Sequence, residues 1–332
     1  MVTKPGNLAL VAVLMLRAGV SGAEVAPAAV FLRAGEVCVL GEHAPMRCVT
    51  GDGAAKDSPK WAPDGQRIAY LQRSGLHDML ALAVVVDDRG SVLQRVPIGA
   101  IGPDNAINST MNSVVGLRWI GARRVVVEGH LNPSYRAYVV LDSGSGQTVA
   151  ELGDQALGAG FSADGMHWAN VSGVPHFATP ADTTPTLEID RTKVLVLKGG
   201  DESFASPPRW SDDGRQVAIL IRRGDDGPVT RLALAHVAAR DARVIRLPFS
   251  DARVELRWCA REPCVMRQVS DPTPRVALPG IRPLRAQWWR LHDGAWTQAQ
   301  TPHHAANPGL DARRAALLER VREVGGTDID VR

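Results

Sequence analysis

Residues 58–75 read SPKWAPDGQRIAYLQRSG, and the order of Trp61, Asp64-Gly65 and Ile68-Ala69-Tyr70 decides the fold. Trp61 ends one strand, Pro63-Asp64-Gly65 makes a tight turn, and Ile68 to Leu71 run back as a second strand. Proline pre-sets φ for the first turn position, and glycine takes the φ > 0 position at no steric cost. One such hairpin means little, because hairpins are common. Recurrence is what carries weight. Residues 207–225, PPRWSDDGRQVAILIRRGD, repeat the order with Trp210, Asp213-Gly214 and Val217-Ala218-Ile219. Residues 158–173, GAGFSADGMHWANVSG, place Phe161 for the tryptophan, then Asp164-Gly165 and Trp168-Ala169. GLRWIGARRVVVEG keeps Trp119 and Val125-Val126-Val127 but lacks Asp-Gly, and VELRWCAREPCVMRQVS keeps Trp258 with Cys259 and Cys264 flanking the turn. AQWWRLHDGAWTQ offers Trp289 with Asp293-Gly294. From Trp61 the spacings are 58, 42, 49, 48 and 31 residues, mostly the length of a four-stranded unit.

Each hairpin is followed by two further strands, as in MLALAVVVDDRGSVLQRV and YRAYVVLDSGSGQTVAEL. Runs such as LALAVVV are apolar on both alternating faces, so their sheets are expected to be covered on both sides. Small sheets stacked face to face around an axis meet that need, which predicts an all-β protein, a six-bladed β-propeller with a short C-terminal helix. Seven blades is the runner-up, because the 58-residue gap has room for a degenerate unit near the polar stretch Asn105 to Ser113. A β-sandwich would explain strands and turns but not one signature returning about every 45 residues. Before Trp61, AVFLRAGEVCVLGEHAPMRCVTG reads as three short strands without the hairpin. The unit around Trp289 is short by about as much, so the two chain ends are expected to share a composite blade that leaves no open edge.

WAPDGQRIAY, WSDDGRQVAI and FSADGMHWAN resemble the W-S-P-D-G-x-x-I-A-F repeat (PD40 repeat) of WD40-like, TolB-type propellers. That resemblance implies a propeller working through protein partners at the cell envelope. LRWIGARRVVVEG is similar to second-blade segments in the N-terminal propellers of prolyl-oligopeptidase-like (S9) peptidases, including lasso-peptide isopeptidases. Those enzymes carry a Gly-x-Ser-x-Gly elbow in a hydrolase domain; the sequence contains none. A self-sufficient serine peptidase is therefore not expected.

The first residues, MVTKPGNLALVAVLMLRAGVSGAEVAP, run from Lys4 through an apolar stretch, Leu8 to Leu16, to Ser21-Gly22-Ala23. That layout predicts a signal peptide over 1–23, and hence a periplasmic or secreted protein. An N-terminal anchor or core helix is the alternative. The propeller is assigned to 24–305, and 306–332 to a C-terminal helix and tail. Four cysteines in two close pairs suit an exported chain, with Cys38 and Cys48, and Cys259 and Cys264, as disulfide candidates. Gaps of nine and four residues between partners do not match a zinc site.

Hydrophobic residues at 45% and charged residues at 22% describe a globular chain rather than a disordered one. A formal charge of +3 with scattered Arg-Arg pairs gives no nucleic-acid footprint. No later stretch is long enough to span a bilayer. Phosphate loops and His-Glu-x-x-His are absent, and His303-His304 in TPHHAANPG reads as an exposed linker rather than a metal site. No catalytic, cofactor-binding or metal residue is nominated, and no cofactor is expected. In the tail, Leu310, Arg314, Leu317, Leu318, Val321 and Val324 follow helical spacing between Asn307-Pro308 and Gly325-Gly326. The helix either docks on its own propeller or is offered to a partner. The functional expectation is an exported, non-catalytic, monomeric propeller that binds a protein or peptide. The alternative is a stand-alone relative of the peptidase propellers, serving as subunit to a separate hydrolase chain.

Overall fold

The computed structural model describes residues 28–73, 81–98, 111–132, 135–155, 157–173, 184–198, 201–224, 226–270, 284–300 and 308–332. The expected signal peptide, most of the Asn105 to Ser113 stretch and the His303-His304 pair lie outside them. Strands β1 (Ala28–Arg33), β2 (Glu36–Gly41) and β3 (Arg47–Cys48) open the chain. The first blade follows as β4 (Lys56–Trp61), β5 (Arg67–Arg73), β6 (Ala81–Asp87) and β7 (Val92–Ile98). The second is β8 (Ser113–Ile120), β9 (Arg124–Asn132), β10 (Tyr135–Asp142) and β11 (Thr148–Gln155). The third is β12 (Gly160–Phe161), β13 (Trp168–Ser172), β14 (Thr186–Ile189) and β15 (Thr192–Val196). In the fourth, β16 (Glu202–Phe204) and β17 (Arg209–Trp210) both pair with β18 (Gln216–Arg223), which is followed by β19 (Val229–His236) and β20 (Asp241–Asp251). The fifth is β21 (Val254–Cys259), β22 (Glu262–Ser270), β23 (Leu284–His292) and β24 (Ala295–Ala299). Helix α1 (Pro308–Glu323) and β25 (Thr327–Val331) close the chain.

Six antiparallel sheets result, and the sixth is composite, in the order β25-β1-β2-β3. This is a six-bladed β-propeller. The composite blade forms from both chain ends, with β1–β3 from the expected N-terminal stretch but its C-terminal strand from different residues. The Trp289 stretch is not a repeat of its own: Trp289 lies on the third strand of the Trp258 blade, and Asp293-Gly294 turns into its fourth. The C-terminal strand instead comes from Thr327–Val331, inside the segment assigned to the tail, so the propeller reaches beyond residue 305. Thr-Asp-Ile-Asp-Val is short and carries two charges, which hides a strand that is stabilised mainly by its neighbours.

The three best hairpins show why the signature turns where it does. Gly65, Gly165 and Gly214 have φ of 67°, 72° and 67°, and their N–H groups donate to the carbonyls of Ala62, Ser162 and Ser211 three residues back. That is a turn closed by a left-handed residue, the role glycine fills without Cβ strain.

Five apolar cores lie between successive blades. Val30, Val37 and Val39 of the composite blade meet Trp61, Ile68 and Tyr70 of the first. Leu71 and Val85 then meet Leu117 and Val139; Ile120 and Tyr138 meet Phe161 and Trp168; Val171 and Leu187 meet Ile219 and Ile221; Leu220 and Leu232 meet Leu256 and Val265. The sixth core differs. The far face of the composite blade, with Ala29, Phe31, Cys38 and Leu40, is covered by Leu317 and Val321 of α1, not by the fifth blade.

Helix α1 begins on Pro308, whose missing N–H costs nothing in the first turn. It stops where Gly325, at φ 72°, donates to the Arg322 carbonyl and Gly326 to that of Val321. Arg313 grips Glu42 through two bonds, of 2.8 and 2.6 Å. Of the two readings of the helix, docking on its own propeller is the one observed.

Candidate functional site

A search for nucleophiles meets one arrangement of the right residue types, and the repeat itself explains it. His167 Nδ1 lies 2.6 Å from Asp190 Oδ2, and Ser162 is close by. Yet Ser162 is fully buried; its Oγ donates to Asp164 Oδ1 at 2.5 Å and accepts from the main-chain N–H of His167 at 3.0 Å. Ser211 repeats this with Asp213 and the N–H of Gln216 at 2.7 and 3.0 Å, with no histidine involved. The serine therefore fastens a hairpin. An activated nucleophile needs its hydroxyl held by the base, and this one is held elsewhere. The Asp213 carboxyl is kept below its usual range by the Ser211 hydroxyl and then the Arg215 N–H. Burial pushes Asp164 upward, but the bonds from Ser162 and the Met166 N–H outweigh it and leave it lowered.

The signature aromatics join neighbouring blades. Trp119 Nε1 donates to the Lys60 carbonyl at 3.0 Å, and Trp258 Nε1 to the Arg209 carbonyl at 3.1 Å. Lys60 and Arg209 hold equivalent places, each just before its own blade's tryptophan. The position six residues after the aromatic reaches forward in turn: Arg67 lies over Trp119 at 5.6 Å, and His167 stacks on Trp210 at 6.0 Å. Arg332, beyond the composite strand, covers Trp61 at 4.6 Å.

The residue before each aromatic is Lys60, Arg118, Gly160, Arg209 or Arg257. Four of the five are cations. In the third blade a Cβ at Gly160 would sit 2.4 Å from the Pro208 carbonyl, so only glycine fits there. These inner strands wall two adjoining cavities that meet at Arg209 and Trp210. The larger, about 710 Å³, is lined by Trp210, Asp212, Glu255, Arg257, Trp258 and Arg290 among others. The smaller, about 490 Å³, adds Arg118, Glu128, Arg136, Tyr138 and Phe161. Together they present five guanidiniums against three carboxylates, with aromatic walls. Glu128 pairs with Arg136 at 3.3 Å, and Glu255 pairs with Arg257. Arg118 and Arg209 have no carboxylate partner among the described residues.

The fifth blade has two unlike faces. Leu256, Val265 and Leu291 pack on the fourth blade. On the other face, Arg257 and Arg290 keep about half their side-chain surface (49% and 50%) and His292 keeps 62%. Glu262 there bonds both Arg290 and His292, and its bond together with the nearby Asp293 charge raises His292. The larger cavity touches both faces of β21, so it runs around that strand's unpaired edge.

Sequence reading left this site unnamed. Its signal was the cation before four of the five hairpin aromatics, visible only once the repeats are aligned. The nominated cysteines lie elsewhere in part. Cys38 is bonded to Cys48 across β2 and β3, and Cys259 to Cys264 across the β21–β22 turn; of the four only Cys259 borders the cavity. Among the described residues no group of three or more His, Cys, Asp or Glu could hold a metal. Among the described residues, no helix is long and apolar enough to cross a membrane.

With the sheets and the cavity walls described, the chain stands as a six-bladed β-propeller, and comparison with known proteins adds remote likenesses in fold. No family model matches the sequence, and no curated protein matches it. Among solved structures it is similar to a eukaryotic initiation factor, at 12% identity and a TM-score of 0.47, over 72% of this chain and 57% of that one. A prolyl endopeptidase aligns at 15% identity and 0.39, over 73% of this chain and 39% of that one. TolB from Acinetobacter baumannii aligns at 13% identity and 0.33, over 82% of this chain and 62% of that one. The chain thus spans less than two thirds of each.

Proposed function

We propose that this propeller is an exported, non-catalytic binding protein that holds a protein or peptide partner at the cell envelope. The observation that carries the reading is the pair of adjoining cavities at Arg209 and Trp210. They form an open, elongated cleft walled by tryptophan and arginine, the side chains that most often anchor protein interfaces. Two disulfides fit an oxidising compartment, in keeping with the expected leader over 1–23. The absence of catalysis is supported by the hairpin role of Ser162 and its repetition at Ser211.

A photo-crosslinking side chain placed at Trp210 in the full chain should capture one predominant envelope polypeptide, and at the outer-strand residue Val92 none. The purified protein should show no peptidase, esterase or glycosidase turnover. Turnover that survives re-purification and disappears on replacing one Asp, Glu or His would overturn the reading. So would capture that is the same at both positions.

A further inference from the structure

We propose, resting on that reading, that the partner's contacting segment is extended and acidic, and that it adds as a strand along the free edge of β21. The pairing pattern defines that edge. Trp258 faces Pro263, which has no N–H to give, and Cys259 faces Glu262 across the turn. Trp258–Pro263 is therefore a non-hydrogen-bonded pair, and so is Leu256–Val265 two residues on. The N–H and C=O groups of Leu256 and Trp258 point away from β22, toward the cavity that both residues line. No described residue other than the partner strand bonds the main chain of Val254–Cys259.

The first blade shows what satisfies such an edge in this molecule. Asp328 of β25 accepts the main-chain N–H of Ser58, and Asp330 accepts that of Trp61 at 2.9 Å. Asp330 also lies 3.8 Å from Lys60 Nζ. An acidic strand, Thr-Asp-Ile-Asp-Val, thus caps the edge of β4 and meets the cation preceding its tryptophan. At the fifth blade the preceding strand offers the side chains of Arg209 and Trp210 instead, which donate only, and the Arg209 carbonyl is engaged by Trp258 Nε1 rather than by the strand edge. The edge N–H of Trp258 is left among Arg209, Arg257 and Arg290, and a partner carboxylate would accept from it while neutralising these cations. β21 is six residues long, and strand addition of this kind takes affinity from the main chain and specificity from alternate side chains.

The test is fluorescence anisotropy of the full mature chain with a labelled peptide of alternating Asp and Val. Saturable, salt-sensitive binding is expected, weakened at least about tenfold by Arg209→Ala or Arg257→Ala, and lost when the peptide backbone is N-methylated. Melting curves check that the variants fold; should either fail, Arg209→Lys and a salt titration of the unaltered chain supply the readout. Equal binding of a Lys-Val peptide, no effect of the arginine substitutions, or full displacement by single-stranded oligothymidine would each overturn the proposal. The two readings fail separately. A partner crosslinked at Trp210 that the Asp-Val peptide does not displace would sink the acidic-strand proposal alone. Peptide binding without any envelope partner would sink the proposed function.

Discussion

The two faces of the fifth blade come from the same strands, yet one packs as a core on the fourth blade and the other carries charges around a buried Trp288 and Cys264. Along β21, Leu256 and Trp258 turn toward the fourth blade, while Glu255 and Arg257 turn away. Compare the composite blade, whose two faces are both apolar: Val30 and Val39 serve the first blade, and Phe31 and Leu40 serve α1. The difference teaches that the ring has five blade-to-blade cores and that its sixth apolar face is closed by a helix. With the composite blade covered by the helix, the fifth blade's second face carries Arg257, Glu262, Arg290 and His292 beside the buried Trp288.

The sharpest way to break this comparison is to remove the closure. Val321 is fully buried against the composite blade, and Val321→Asp would leave an unpaired charge there, costing about 3–5 kcal/mol. Chemical denaturation should show the midpoint falling steeply; an unchanged midpoint would mean the helix is a dispensable cover. Arg257→Leu on the charged face should by contrast change stability by roughly 0.5 kcal/mol or less.

Next comes the aromatic series. Trp61 is 7% exposed, and Trp61→Ala should cost about 3–5 kcal/mol. Trp210 is only partly buried, because it also walls the cleft, and Trp210→Ala should cost about 1–2 kcal/mol less than that while weakening partner capture. Equal stability losses at the two sites would mean that Trp210 belongs to the core and not to the cleft.

A pH titration probes the junction between the composite and first blades. Lys56, its side chain fully buried, bonds Glu36 Oε2 at 3.0 Å and also Asp52. Burial raises Glu36, but bonds from Thr50 and Lys56 outweigh it and leave it lowered; Asp52 is lowered chiefly by its Lys56 bond. Carboxyls depressed on folding stabilise above their unfolded pKa, and that contribution disappears as pH falls through the folded value. Melting temperature should therefore drop as the pH is lowered through and below the ordinary carboxylate range. Lys56→Met should flatten that slope, and a slope unaffected by it would place the acid sensitivity elsewhere.

Among the structural bonds, the two disulfides are expected to contribute modestly. The Cys259–Cys264 bond closes so short a loop that its loss should cost about 2 kcal/mol, and that of Cys38–Cys48 about 3 kcal/mol. Four alkylatable thiols in exported protein would show that neither bond forms in the cell.

The sequence by itself determined the aromatic hairpins at Trp61, Trp119, Phe161, Trp210 and Trp258 and the class of fold. A left-handed glycine after Pro-Asp or Asp-Asp, and a run of Val, Ile and Ala behind it, are local preferences that need no neighbours. The alternation in VELRWC, with charge on one side and Leu and Trp on the other, also lay in plain view. Only the tertiary structure decided that Thr327–Val331 is a blade strand, because a short segment with two aspartates becomes a strand through the N–H groups of β4 and the edge of β1. It alone decided that Trp289 belongs to the Trp258 blade, since register across a loop depends on which strand is adjacent in space. And it alone brought Arg118, Arg209 and Arg257 around one cleft. Cations spaced some 50 or 90 residues apart in the chain form no run, yet a ring places equivalent positions of successive repeats side by side.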